Sequence, residues 1–141
     1  MRRMLIGSLF VVALISIIFS CQDAGEIRQD VYFVNGRDLY IKHCQNCHGA
    51  KGEGLGKLTP PLTDTAFLKD NRQKLACFIK KGIKDTITVN GQQYEGTMPA
   101  FPELYDIDIA QVMVYIGNSF GNNQGMYTPA QVAADLKKFC N

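Results

Sequence analysis

The run Cys44-Gln45-Asn46-Cys47-His48 sets two thiols three residues apart with an imidazole directly behind the second. That arrangement suits covalent haem attachment, in which each thiol adds to one vinyl group and the imidazole binds the iron. On one helical turn Cys44 and Cys47 project toward one edge of a flat macrocycle while His48 reaches the metal. Two other chemistries use a Cys-x-x-Cys pair. A zinc site needs a second ligand pair, and the chain has no second Cys-x-x-Cys and only one other histidine, His43. A thioredoxin-like dithiol needs a strand before it and a helix after it, whereas Gly49, Lys51 and then Pro60-Pro61 follow here. His43 directly precedes Cys44, so a helix turns its ring away from His48 and leaves it at the surface or the haem edge.

Several elements must position these groups. Asn35 reads as the N-cap of a helix on which Gly36, Tyr40 and Cys44, spaced by four, share one face. A glycine there lets another helix cross closely. The glycine-rich loop 49 to 56 lacks the Gly-Lys-Ser/Thr ending of a phosphate cradle. A helix is expected over 71 to 81 with Gly82 as its stop. Ile87-Thr88-Val89, Asn90-Gly91 and Gln92-Gln93-Tyr94 read as a small hairpin or an extended loop. From Asp106, placed as a cap, Ile109, Val112, Met113, Ile116 and Phe120 recur at helical spacing until Gly121. A last helix opens at Thr128-Pro129 and carries Val132, Leu136 and Phe139 inward.

The pattern Gly36-x-x-x-Tyr40-x-x-x-Cys44-x-x-Cys47-His48-Gly49 resembles the opening of a class I c-type cytochrome. The resemblance covers roughly residues 34 to 139. It implies an all-α cytochrome c fold in which an N-terminal helix crosses a C-terminal one, Tyr115 meeting the Gly36 and Tyr40 face. The hairpin or loop would lie near one covalent haem c. It also implies roles for further residues. Pro60, two before Leu62, matches the proline whose carbonyl accepts a bond from the non-ligating nitrogen of the haem histidine; a plain turn at two prolines is the alternative. Leu62, Phe78 and Phe101 would line the haem pocket. Met98, followed by Pro99 and fifty residues beyond His48, stands where the family places its second iron ligand. A thioether there is soft and neutral and raises the potential relative to two imidazoles.

At the other end, Arg2 and Arg3 precede an apolar run from Met4 to Phe19, the outline of a secretory signal. Ser20-Cys21 resembles the end of a bacterial lipobox, which makes residues 1–20 a signal peptide and Cys21 a lipidation site. Residues 21–33 then read as a lipidated tether and 34–141 as the domain, exported and anchored at the periplasmic side of a membrane. Of the five cysteines, Cys77 and Cys140 remain. With residues 75 to 82 on a helix, Cys77 falls off the core face, and outside the cytoplasm such a thiol is better oxidised than free. A Cys77–Cys140 bridge is one reading and two small separate hydrophobes the other.

Arg2 and Arg3 account for the whole formal charge of +2, so the chain without them is neutral before haem propionates. No general attraction to nucleic acid is indicated. Charge is uneven, with Lys69, Arg72, Lys74, Lys80, Lys81 and Lys84 in one segment and Glu103, Asp106 and Asp108 in another. That polarity suits either redox-partner docking or a solvated face. An iron held by both His48 and Met98 has no vacant position, which points to one-electron transfer in a respiratory or dehydrogenase chain, free or as a subunit, and not to an enzyme. The competing account is a haem sensor or small-molecule redox enzyme in which Met98 dissociates.

Overall fold

The computed structural model describes residues 24–140, so the expectations for residues 1–20 and for Cys21 lie outside the described residues. Among the described residues six helices and one hairpin follow in order: α1 (Ala24–His43), α2 (Gln45–His48), α3 (Thr65–Asp70), α4 (Arg72–Lys81), β1 (Ile87–Val89), β2 (Gln92–Tyr94), α5 (Asp106–Gly117) and α6 (Pro129–Phe139). The all-α architecture with a small hairpin is therefore as expected. Among the described residues no helix is long and apolar enough to cross a membrane.

Helix α5 is the hub. Ile109, Ala110, Val112, Met113, Val114 and Ile116 are all buried, and burying side chains the size of Val, Ile or Met gains about 1.5–3 kcal/mol each. Across it lies α1, whose Gly36 makes the crossing possible: a β-carbon there would strike the Gln111 carbonyl and sit 2.9 Å from Tyr115 Cβ. The rings of Tyr40 and Tyr115 meet at 5.2 Å, as the resemblance implied. On another side α4 and α6 pack together, tied by a disulfide between Cys77 and Cys140.

Three expectations need correction. Helix α1 starts at Ala24, so Asn35 is an exposed mid-helix residue and not an N-cap, and residues 24–33 of the expected tether are helical. Tyr32 and Phe33 pack against the core, and Phe33 lies 5.1 Å from the Tyr115 ring. That added burial extends the helix past the point where an Asn could have started it. Second, Tyr105 and not Asp106 caps α5, its N–H donating to Asp108 Oδ2 at 2.9 Å. Third, α5 ends at Gly117, before Phe120. Asn118 draws the chain out of the helix by donating to Val114 O at 2.7 Å while its own Oδ1 accepts from Gly125 N at 2.8 Å. Phe120 (φ 59°) then folds back to place its ring 5.5 Å from Tyr40.

In α6, Val132 is fully buried but Leu136 and Phe139 are only half-buried. Asp135 takes a core place beside them, because the buried Tyr127 hydroxyl donates to its carboxylate. A buried acceptor with a partner is tolerated where a bare one is not.

Candidate haem site

Among the described residues an apolar cleft, partly open to solvent, is lined from three stretches of chain. The first stretch contributes Cys44, Cys47, His48, Pro60 and Leu62; the second contributes Phe78, Ile83, Met98 and Phe101; the third, on α5, contributes Val112 and Ile116. Ile87 and Tyr94 bring the hairpin to the same cleft, with Asn90 (φ 50°) and Gly91 (φ 74°) in the left-handed turn that joins its strands. Mostly apolar walls with a few convergent polar groups suit an organic ligand with an apolar body.

Helix α2 is a single turn that presents the two thiols and the imidazole. It continues from α1 through Cys44, whose N–H donates to Tyr40 O at 2.8 Å and whose carbonyl accepts from His48 N at 3.0 Å. The turn is closed from outside by Tyr40, which donates its hydroxyl to Gly49 O at 2.6 Å. Burial raises the Tyr40 pKa and is its largest perturbation. Cys44 is half-buried and its thiol is pushed up to about 11, first by burial and then by Cys47, which is itself exposed. Both thiols are free and line the cleft, the condition for thioether formation.

His48 is oriented from behind. Its Nδ1 lies 3.2 Å from the Pro60 carbonyl, leaving Nε2 as the uncommitted nitrogen. Burial lowers the imidazole pKa while the Pro60 bond opposes that shift, so the ring is held neutral, the form that ligates metals. The Pro60 carbonyl thus stands within hydrogen-bond distance of the imidazole, and Leu62 nearby lines the cleft.

Met98 is presented by a two-residue bridge. Ile83 N donates to Met98 O at 3.0 Å and Met98 N to Ile83 O at 2.9 Å. Gly82, with φ 74°, caps α4 and lets the chain double back so closely that a β-carbon would strike Met98 O. Met98 is the only methionine lining the cleft among the described residues; Met113 is buried in α5 and Met126 packs on the core elsewhere. His43 also reaches the cleft edge, where its ring stands 5.6 Å from Phe101 and 3.9 Å from Glu103 Oε1.

The family described as cytochrome c oxidase, cbb3-type, subunit III, matches residues 33–116, more than half of the chain. The chain belongs to it, as a mono-haem class I c-type cytochrome. Two curated relatives, both called cytochrome c-552 and both from Thermus thermophilus, are 27% identical over 126 residues. Those matches cover 74% of this chain and 95% and 84% of the relatives. The cytochrome carries one covalently bound haem c, and its chemistry is haem-based electron transfer.

The donor set of this cytochrome suits that group: two free thiols and an oriented imidazole stand at an apolar cleft that also holds a thioether. Among the described residues no three His, Cys, Asp or Glu side chains gather as an ion site. What sequence reading missed are the supports. The basic segment is one case: Arg72 donates to Gln124 O at 2.6 Å and Met126 O at 2.9 Å, and Lys80 to Pro102 O at 2.9 Å and Leu104 O at 2.7 Å. Two of the six cations are thus spent on carbonyls inside the protein. No local pattern in the sequence marks such long-range partners.

Proposed function

We propose that the cytochrome relays single electrons between partner proteins at a membrane surface, with His48 and Met98 as the two iron ligands and thioether bonds at Cys44 and Cys47. The observation that carries this reading is the convergence of an oriented imidazole and a single methionine on one apolar cleft. A bound haem supplies the redox couple. The chain does the rest: Pro60 holds the His48 ring, the Ile83 bridge holds Met98, and Leu62, Phe78 and Phe101 keep water from the centre. With His48 and Met98 both committed to the iron, the role would be that of an electron carrier and not of an enzyme.

Export is the usual fate of this family's domains, and lipidation at Cys21 accounts for attachment in a chain whose described helices do not span a bilayer. The partners are redox proteins, and nucleic acid is not among them. A potentiometric titration of the purified holo-protein tests the core of the proposal: one one-electron wave, with spectra unmoved by modest cyanide, is expected. Ready binding of cyanide or nitric oxide to the resting protein would favour a sensor or enzyme. For the anchor, Cys21→Ser should release the protein from the membrane lipid fraction in a fatty-acid labelling experiment, and unaltered labelling would refute lipidation there.

A further inference from the structure

The segment that serves His48 from behind is poor in hydrogen-bond donors. Pro60 and Pro61 carry no N–H, so the Pro60 carbonyl has no neighbouring ladder to hold it. Besides its contact with His48 Nδ1, its hydrogen-bonded anchors lie at the ends of a short strut, residues 59 to 62. At one end Thr59 pairs with Leu55, with N to O distances of 3.0 and 3.3 Å. At the other end the Leu62 N–H donates to Gly52 O at 2.7 Å, and the Leu62 carbonyl accepts from Asn122 Nδ2 at 2.9 Å. Proline fixes φ near −65°, so a shift of Leu62 is carried to Pro60 with little slack.

Asn122 comes from the segment between α5 and α6, sixty residues away in the chain, and is only 6% exposed. The same amide nitrogen donates to Ile116 O at 3.0 Å, one residue before the end of α5. Both neighbours are carbonyls, so the nitrogen must face them. The buried Oδ1 has no protein partner, so the amide's place is held by its nitrogen alone. One buried amide therefore joins the last turn of α5, whose Val112 and Ile116 line the cleft, to the strut that carries Pro60.

We infer that Asn122 is a positioning residue for the proximal histidine: by holding Leu62 it sets the Pro60 carbonyl against His48 Nδ1 and thereby tunes the imidazole as an iron ligand. The inference rests on His48 being that ligand. A firm Nδ1–H···O bond makes the ring more electron-rich and favours ferric iron. Loosening the strut moves the potential upward.

The test compares Asn122→Leu with Asn118→Leu in the full holo-protein. Asn118 lies in the same connection and its amide nitrogen also donates twice, to Val114 O at 2.7 Å and Gly125 O at 2.9 Å, but it makes no bond to residues 59 to 62. Both variants should lose stability in urea. Only Asn122→Leu should raise the midpoint potential and, by NMR, speed exchange of the His48 Nδ1 proton by about tenfold, the loss of roughly one net hydrogen bond. An unmoved potential in Asn122→Leu, or an equal rise in Asn118→Leu, overturns the inference. If Asn122→Leu fails to fold, Asn122→Ser, with one donor in place of two, should move the potential in the same direction, and no movement there is equally fatal. His48 ring signals lacking the strong shifts of an iron ligand would overturn the ligand reading and the inference with it. A ligated His48 with an unmoved potential overturns the inference alone.

Discussion

Ile83 and Met98 exchange both of their backbone hydrogen bonds, at 3.0 and 2.9 Å, and this isolated bridge is what presents the methionine to the cleft. It depends on Gly82, which turns the chain at φ 74° and leaves no room for a β-carbon beside the Met98 carbonyl. Gly82→Ala is expected to lose about 1–3 kcal/mol in urea denaturation, from left-handed strain and the forced shift of Met98. It should also weaken the ferric methionine-sulfur absorption band. A variant with full stability and an intact band would mean that the bridge does not position Met98.

The crossing of α1 and α5 is tested at Gly36. Alanine is the better helix former by about 1 kcal/mol, yet a β-carbon at this site meets the backbone of Gln111, which has nowhere to go. Gly36→Ala should therefore lose about 1–3 kcal/mol, the usual penalty of overpacking. Increased stability, read from the urea midpoint, would show that the helices can separate without loss.

Helices α4 and α6 are joined by a disulfide spanning 63 residues of sequence. Closing a loop of that length removes unfolded-state freedom worth on the order of 4 kcal/mol. Cys140→Ser should lower the urea midpoint accordingly, and added reductant should then have no further effect. Equal stability of variant and parent under oxidising conditions would contradict this.

Tyr127 gives a pH dependence with a definite sign. Burial, and then its bond to Asp135, push the phenol pKa above its ordinary value near 10. The folded state therefore keeps a proton that the unfolded state gives up, and this contribution is whole below about pH 10 and is lost as pH rises beyond it. Tyr127→Phe leaves the Asp135 carboxylate short of a donor and should cost about 1–3 kcal/mol at neutral pH. Its further loss between pH 9 and about 11 should be shallower than the parent's. Parallel curves for the two proteins in urea unfolding would refute the assignment.

The reach of the sequence follows from where each signal is stored. Cys44, Cys47 and His48 are legible because the whole attachment motif sits on one helical turn, and Asn90-Gly91 because a two-residue turn carries its own chemistry. The α5 stripe is legible because burial on one side leaves a helical period. Helix α1 hides its first turns for the opposite reason. Ile27, Val31, Val34 and Ile41 lie half-exposed while Tyr32, Phe33, Leu39 and Tyr40 face the core, so apolar residues recur on both sides and no stripe stands out. Asn122, Arg72 and Tyr127 were illegible because their partners are carbonyls or carboxylates brought near only by the completed fold.

The central claim, that His48 and Met98 together hold the iron, is tested most directly by the ferric spectrum of the parent and of Met98→Ala. The account predicts a methionine-sulfur charge-transfer band in the parent, its loss in the variant, a lower midpoint potential, and new binding of cyanide. A parent without the band, or a variant that keeps both band and potential, would contradict it.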